Sequence, residues 1–106
     1  MSVVPVAHEK IPHPPTGSLD LATIMRTLGD PSRLEIVRLL GDGEERGCHD
    51  ISTAVGLPNS TCSYHLKLLR EAGVTRARAA GTQRWISLRR DDLESRFPGL
   101  LDVLTR

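Results

Sequence analysis

Three groups of side chains in this chain could do more than pack: thiols with imidazoles, a set of hydroxyls, and clustered cations. The thiols are Cys48 and Cys62; the imidazoles are His8, His13, His49 and His65. Thiolate and imidazole together suit zinc or nickel. Cys48 and His49, joined by His8 or His13, therefore make a weak candidate metal set. Their spacing matches no strong metal motif, and two adjacent ligands reach one ion only with strain or a partner's help. Redox sensing needs accessible, low-pKa thiols, often paired, and Cys48 with Cys62 is the available pair. His65 as a general base would need a nucleophile and a cleft, and the sequence offers neither.

The hydroxyls are more ordered. The stretch "PNSTCSYHLKLLREAGV", residues 58–74, places Cys62, Leu66, Leu69 and Gly73 at i, i+4, i+7 and i+11, one apolar stripe of a helix. Ser60, Ser63, Tyr64, Lys67 and Glu71 lie opposite. Asn59, Ser60, Thr61, Ser63 and Tyr64 are gathered near the helix start, with Lys67 further along. Small polar groups there allow close approach to base edges or backbone in a nucleic-acid groove, and Lys67 can reach phosphate. The helix start also favours phosphate through its free amides. Cys62, within the apolar stripe, reads as a small core hydrophobe.

The cations follow the same stretch. Residues 58–90 hold seven basic side chains against one acidic, a local excess of +6, while residues 1–57 carry −3 and residues 91–106 carry −2. A net charge of +1 thus hides a basic segment between acidic ones, the footprint of a polyanion partner. Arg76, Arg78, Gln83 and Arg84 are its candidate contacts beyond the helix. Arg33 and Arg38 read as a solvated face.

The elements that position these groups follow from periodicity. Residues 1–17 hold four of the seven prolines and read as a flexible N-terminal arm. In "SLDLATIMRTLG", Leu21, Ile24, Met25 and Leu28 have helical spacing, with Ser18 as a cap. In "DPSRLEIVRLLGDG", Asp30 caps and Pro31 takes the first helical position; Leu34, Ile36, Val37, Leu39 and Leu40 make a wide apolar stripe. "CHDISTAVG" is a short helix ending at Gly56, three residues before the polar-faced helix, and the two make a helix-turn-helix. "VTRARAA" and "RWISLRR" form a hairpin, with Ile86 and Leu88 on one side and Trp85 and Ser87 on the other. Leu93, Phe97, Leu100, Leu101 and Leu104 follow as a final helix that Pro98 should break. The fold class is mainly α with a small β-hairpin, order α-α-α-α-β-β-α: a winged helix-turn-helix over residues 18–106. A basic hairpin beside such a helix is a wing that can track the neighbouring minor groove or backbone.

At 106 residues the chain suits one small domain. It has no apolar run near the 18 or so residues of a membrane span and no secretory signal. Two cysteines do not make a disulfide scaffold, so a cytoplasmic setting is expected. There is no phosphate-cradling glycine loop and no nucleophile constellation, so an enzyme is not expected.

Three segments carry a family resemblance: "LGDPSRLEIVRLL", "DISTAVGLPNSTCSYHLKLLREAGV" and the hairpin ending "RWISL". Over residues 19 to 90 they resemble the ArsR/SmtB family of bacterial winged-helix transcription regulators, most specifically in "STCSYHLKLLREAGV". The resemblance implies a homodimer on a pseudo-palindromic operator in double-stranded DNA, usually repressing, with the first and last helices forming the dimer interface. It also implies ligand patterns to look for. The family's Cys-x-Cys on the third helix, just before an Asp-Leu pair, is replaced here by Gly47-Cys48-His49 before Asp50-Ile51. The last-helix type has Asp91, Asp92 and Glu94, but no histidine follows His65. No cofactor is therefore expected, with a transition-metal or redox effector left open. Two alternatives stay open beside a sequence-specific regulator. One is a winged-helix protein-interaction module, since fold does not fix function. The other is a DNA-binding subunit whose sensing is done by a separate partner protein.

Overall fold

The computed structural model describes residues 11–106. In chain order it contains α1 (Leu21–Thr27), α2 (Pro31–Leu39), β1 (Arg46–Gly47), α3 (Cys48–Val55), α4 (Asn59–Glu71), β2 (Thr75–Ala80), β3 (Gln83–Leu88), α5 (Arg90–Arg96) and α6 (Leu100–Leu104). The strands form one antiparallel sheet in the order β1-β3-β2. This is the expected order with two refinements. A short strand precedes α3, and the last helix is two helices separated at Pro98 and Gly99, where Gly99 has φ 87°.

The helix starts show why these segments fold as they do. The carboxylate of Asp30 accepts from the amides of Ser32 and Arg33 at 2.8 and 3.1 Å, and Pro31 sits where its missing N–H is harmless. At α1 the cap is Asp20, which accepts from the Thr23 amide at 3.0 Å, and not Ser18. Ser18 belongs to a 3-10 turn over Thr16–Ser18, and its hydroxyl donates to the carbonyl of Pro15.

The core runs between α2 and everything around it. Ile36, Val37 and Leu40 are fully buried, joined by Ile24 and Leu28 of the first helix region, Ile51 of α3, Leu69 of α4 and Leu93 of α5. From the sheet come Ala77, Ile86 and Leu88, with Val74 just ahead of β2. The stripe expected on α2 is narrower than its apolar composition, because Leu34 and Leu39 are only half-buried. On α1 the apolar set splits: Ile24 and Leu28 are buried, while Leu21 and Met25 are 44% and 43% exposed.

The first seven described residues, expected as the end of a flexible arm, are held against the sheet edge. The imidazole Nε2 of His13 accepts the Ala77 amide at 3.0 Å, on the edge of β2 that β3 leaves open. Arg89, only 4% exposed, donates to the carbonyl of Pro14 and to the carboxylate of Asp92. Arg96 donates to the carbonyls of Thr16, Gly17 and Leu19. Leu19 then packs over Gly73, the residue that turns α4 into β2.

Candidate nucleic-acid interface

The α3–α4 pair is locked by its turn. Gly56, at φ 71°, ends α3 in the left-handed conformation that glycine tolerates. Buried Ser52 holds the turn from both sides: its carbonyl accepts the Leu57 amide at 3.0 Å, and its hydroxyl donates to the Leu57 carbonyl at 2.9 Å. The angle of α4 to α3 is therefore set by hydrogen bonds as well as by packing.

Helix α4 is two-faced, as its spacing predicts. Cys62, Leu66 and Leu69 are buried, and Asn59, Ser60, Thr61, Ser63, Tyr64 and Lys67 are all exposed. Tyr64 is 58% exposed, a large ring left mostly to solvent and tilted against the ring of His65 with centroids 5.8 Å apart. No side chain caps the first turn of α4 and no acidic residue lies in it. Its leading amides point outward with the positive end of the helix dipole, which suits a phosphate. Asn59 is partly engaged, its Oδ1 lying 3.3 Å from Nδ1 of His49.

His65 is positioned by a residue that reads from sequence as surface. Arg33 donates from Nη1 to His65 Nδ1 at 3.1 Å and from Nε to the carbonyl of Thr27 at 2.6 Å. Because guanidinium only donates, Nδ1 of His65 is the acceptor. Arg33 thus struts the end of α1 against the middle of α4. The expectation of a solvated face for Arg33 is corrected: its side chain crosses between helices.

The sheet sorts the basic wing into two groups. Thr75, Ala77, Ile86 and Leu88 face the core. Pairing places Arg76 opposite Ser87 and Arg78 opposite Trp85, on the other face. Arg84 has the parity of Ile86 and lies on the α4 side. There it lines a cleft of about 220 Å³ with Cys48, Ser63, Leu66, Lys67, Arg70 and Ile86. Lys67, Ser63 and Arg84 are therefore brought together. Arg76 and Arg78 are not with them, and both are ion-paired, Arg76 to Asp92 at 3.0 Å and Arg78 to Glu45 at 2.7 Å. Gln83 is exposed at the hairpin tip beside the Gly81-Thr82 turn.

The described members of the weak metal set are not brought together. His13 is bonded at the β2 edge, His49 is beside Asn59, and His8 lies outside the described residues. Among the described residues no group of three or more His, Cys, Asp or Glu side chains could hold a metal ion. Both cysteines are free thiols, Cys62 buried and Cys48 half-buried. Burial pushes both thiols up, with Arg84 and Arg70 partly opposing this at Cys48. A reactive cysteine needs the opposite shift.

A helix-turn-helix followed by a hairpin whose inner edge joins the outward face of the second helix defines a winged helix-turn-helix domain. Comparisons with known proteins agree. A family model for a helix-turn-helix domain matches residues 28–78. The chain is 39% identical over 84 residues to the uncharacterized HTH-type transcriptional regulator YceK of Bacillus subtilis, covering 78% of this chain and 84% of that protein. It is 35% identical to the arsenical resistance operon repressor of Staphylococcus xylosus, over 71% of each chain. Among solved structures it is similar to a homodimeric winged helix-turn-helix DNA-binding domain of Mycobacterium bovis, described as possibly ArsR-family. That match has 31% identity and a TM-score of 0.67, covering 79% of this chain and 76% of the other. The chain belongs to the ArsR family of winged helix-turn-helix transcriptional regulators.

Proposed function

We propose that this protein is a homodimeric repressor that binds a pseudo-palindromic operator in double-stranded DNA. The observation that carries the reading is the division of α4: Cys62, Leu66 and Leu69 anchor it, and six polar residues from Asn59 to Lys67 face outward around an uncapped helix start. Ser60, Thr61, Ser63 and Tyr64 meet base edges or adjacent backbone, and Lys67 and Arg84 meet phosphate. Asn59 contributes at the helix start from beside His49. Gln83 at the hairpin tip serves the minor groove. Arg76 and Arg78 reach DNA only by leaving their carboxylates.

Dimerisation is supported by apolar surface at both ends of the chain. Leu21 and Met25 of α1 and Val103 of α6 are exposed, and Leu21, Phe97, Pro98, Leu100 and Val103 line a shallow hollow of about 470 Å³. Pairing two such faces would set two α4 helices at a fixed spacing, and operator half-sites with them. Such a regulator works in the cytoplasm and catalyses no reaction. Among the described residues no helix is long and apolar enough to cross a membrane.

The test is a duplex enriched from a random library, titrated by fluorescence anisotropy. Lys67→Ala should weaken binding to all sequences alike and flatten the salt dependence by about 0.9 per protomer. Ser63→Ala with Tyr64→Ala should relax sequence preference. Unchanged affinity and preference in the triple variant would remove α4 as the reading helix.

A further inference from the structure

We propose that Glu45 is an internal competitor for Arg78, holding the guanidinium that a DNA phosphate would otherwise take. Both contacts are charge-assisted and fork-like: Arg78 donates from Nε to one carboxylate oxygen and from Nη2 to the other, each at 2.7 Å. That pair of donors is the one with which arginine grips a phosphate, so carboxylate and phosphate exclude each other.

The register explains how the pair forms. Arg78 lies opposite Trp85 on β3, and Trp85 lies opposite Gly47 on β1. From its strand Arg78 reaches across β3 to Glu45, just ahead of β1. The pair stays accessible, with 57% of the Arg78 side chain and 34% of that of Glu45 exposed. Exchange therefore needs no unfolding. Asp92 differs: besides Arg76 it binds Arg89 and Thr16, so it ties the arm to α5 and is not free to let go.

An exposed ion pair is weak and screened by salt, whereas a phosphate contact also releases counterions. Docked DNA can displace Glu45, but every duplex must first do so. Glu45 thereby subtracts from backbone affinity on every duplex alike, without touching base readout.

This rests on the DNA-binding reading, and the experiment separates the two. Binding to a random-sequence duplex is followed by anisotropy over a salt series for wild type, Glu45→Gln, Arg78→Gln, the double variant and Lys67→Ala. Glu45→Gln should tighten binding about three- to fivefold per protomer with the salt slope little changed, because Arg78 meets a phosphate in both proteins. Arg78→Gln should change affinity little alone, flatten the salt slope by about 0.9 per protomer, and cancel the gain in the double variant. A gain that survives Arg78→Gln means simple loss of a repelling acid, and weaker binding by Glu45→Gln means Glu45 only positions the wing; either overturns the proposal. Wild type that binds no duplex, or binds without regard to Lys67, removes the DNA-binding reading itself and the proposal with it. Circular dichroism melts of each variant confirm that all retain the fold.

Discussion

Replacing Gly73 with alanine should unfold this domain at a markedly lower temperature. Two independent terms add. Gly73 sits at φ 84°, where an added Cβ costs about 1–2 kcal/mol. That Cβ would also run into the end of the Leu19 side chain and lie 3.2 Å from Leu19 Cγ. Leu19 is 3% exposed and has little room to turn away. Overpacking of this kind costs about 1–3 kcal/mol, for a total of roughly 3 kcal/mol against a whole stability of about 5–15 kcal/mol. At about 4 °C or more per kcal/mol for a domain this size, the midpoint should fall by at least about 12 °C. The measurement is urea and thermal unfolding at one fixed protein concentration, since the proposed dimerisation would make the midpoint concentration-dependent. Leu19→Ala and the double variant complete a cycle. The double variant should be less destabilised than the sum of the singles by about 1–2 kcal/mol, because removing Leu19 removes the clash. Strict additivity, or a loss below about 1 kcal/mol for Gly73→Ala, would show that Leu19 does not depend on the missing Cβ.

Three further outcomes follow from contacts already described. The His13 imidazole must be neutral at Nε2 to accept the Ala77 amide, and burial lowers its pKa below the usual 6.5. The unfolded chain then takes up the proton first as pH falls, so this contribution is whole above about pH 6.5 and is lost below it. Wild type should lose more stability than His13→Gln between neutral and mildly acid pH, and an NMR titration placing His13 at or above 6.5 would refute the contact's importance. Ser52→Ala should lower stability by about 1 kcal/mol, measured by urea unfolding, because the Leu57 carbonyl loses its hydroxyl donor. Iodoacetamide should alkylate Cys48 more slowly than a free thiol at mildly alkaline pH, and Cys62 only after unfolding, since burial raises both. Mass spectrometry of a time course decides this, and early labelling of Cys62 would contradict its place in the core.

Much of this fold is legible in the residues, because the strongest signals are local. Asp30 and Pro31 announce α2, and the stripe of Cys62, Leu66 and Leu69 orients α4. Strand β1 escapes notice because two residues carry no alternation; it exists because β3 offers it an edge. The two-residue period that separates Ile86 from Trp85 also separates Arg84 from Arg76 and Arg78, so the division of the wing was readable. A basic count over the hairpin conceals it. What no local pattern reveals is the set of partners distant in the chain: Arg33 with His65, Arg78 with Glu45, His13 with the β2 edge. Each depends on packing that brings together residues about 30 or more positions apart.

The Arg33 strut has a mechanical side. With 13 residues, α4 is about 20 Å long, and the turn at Gly73 follows its end. A tilt of about 5° there would carry the far tip, with Asn59 and Ser60, by about 1.7 Å over that length. Hydrogen bonds to base edges tolerate only a few tenths of an ångström. Arg33 braces this lever near its middle and takes its footing on Thr27, at the end of α1. A small rocking of α1 would thereby be geared up into a displacement that the proposed reading tip cannot absorb.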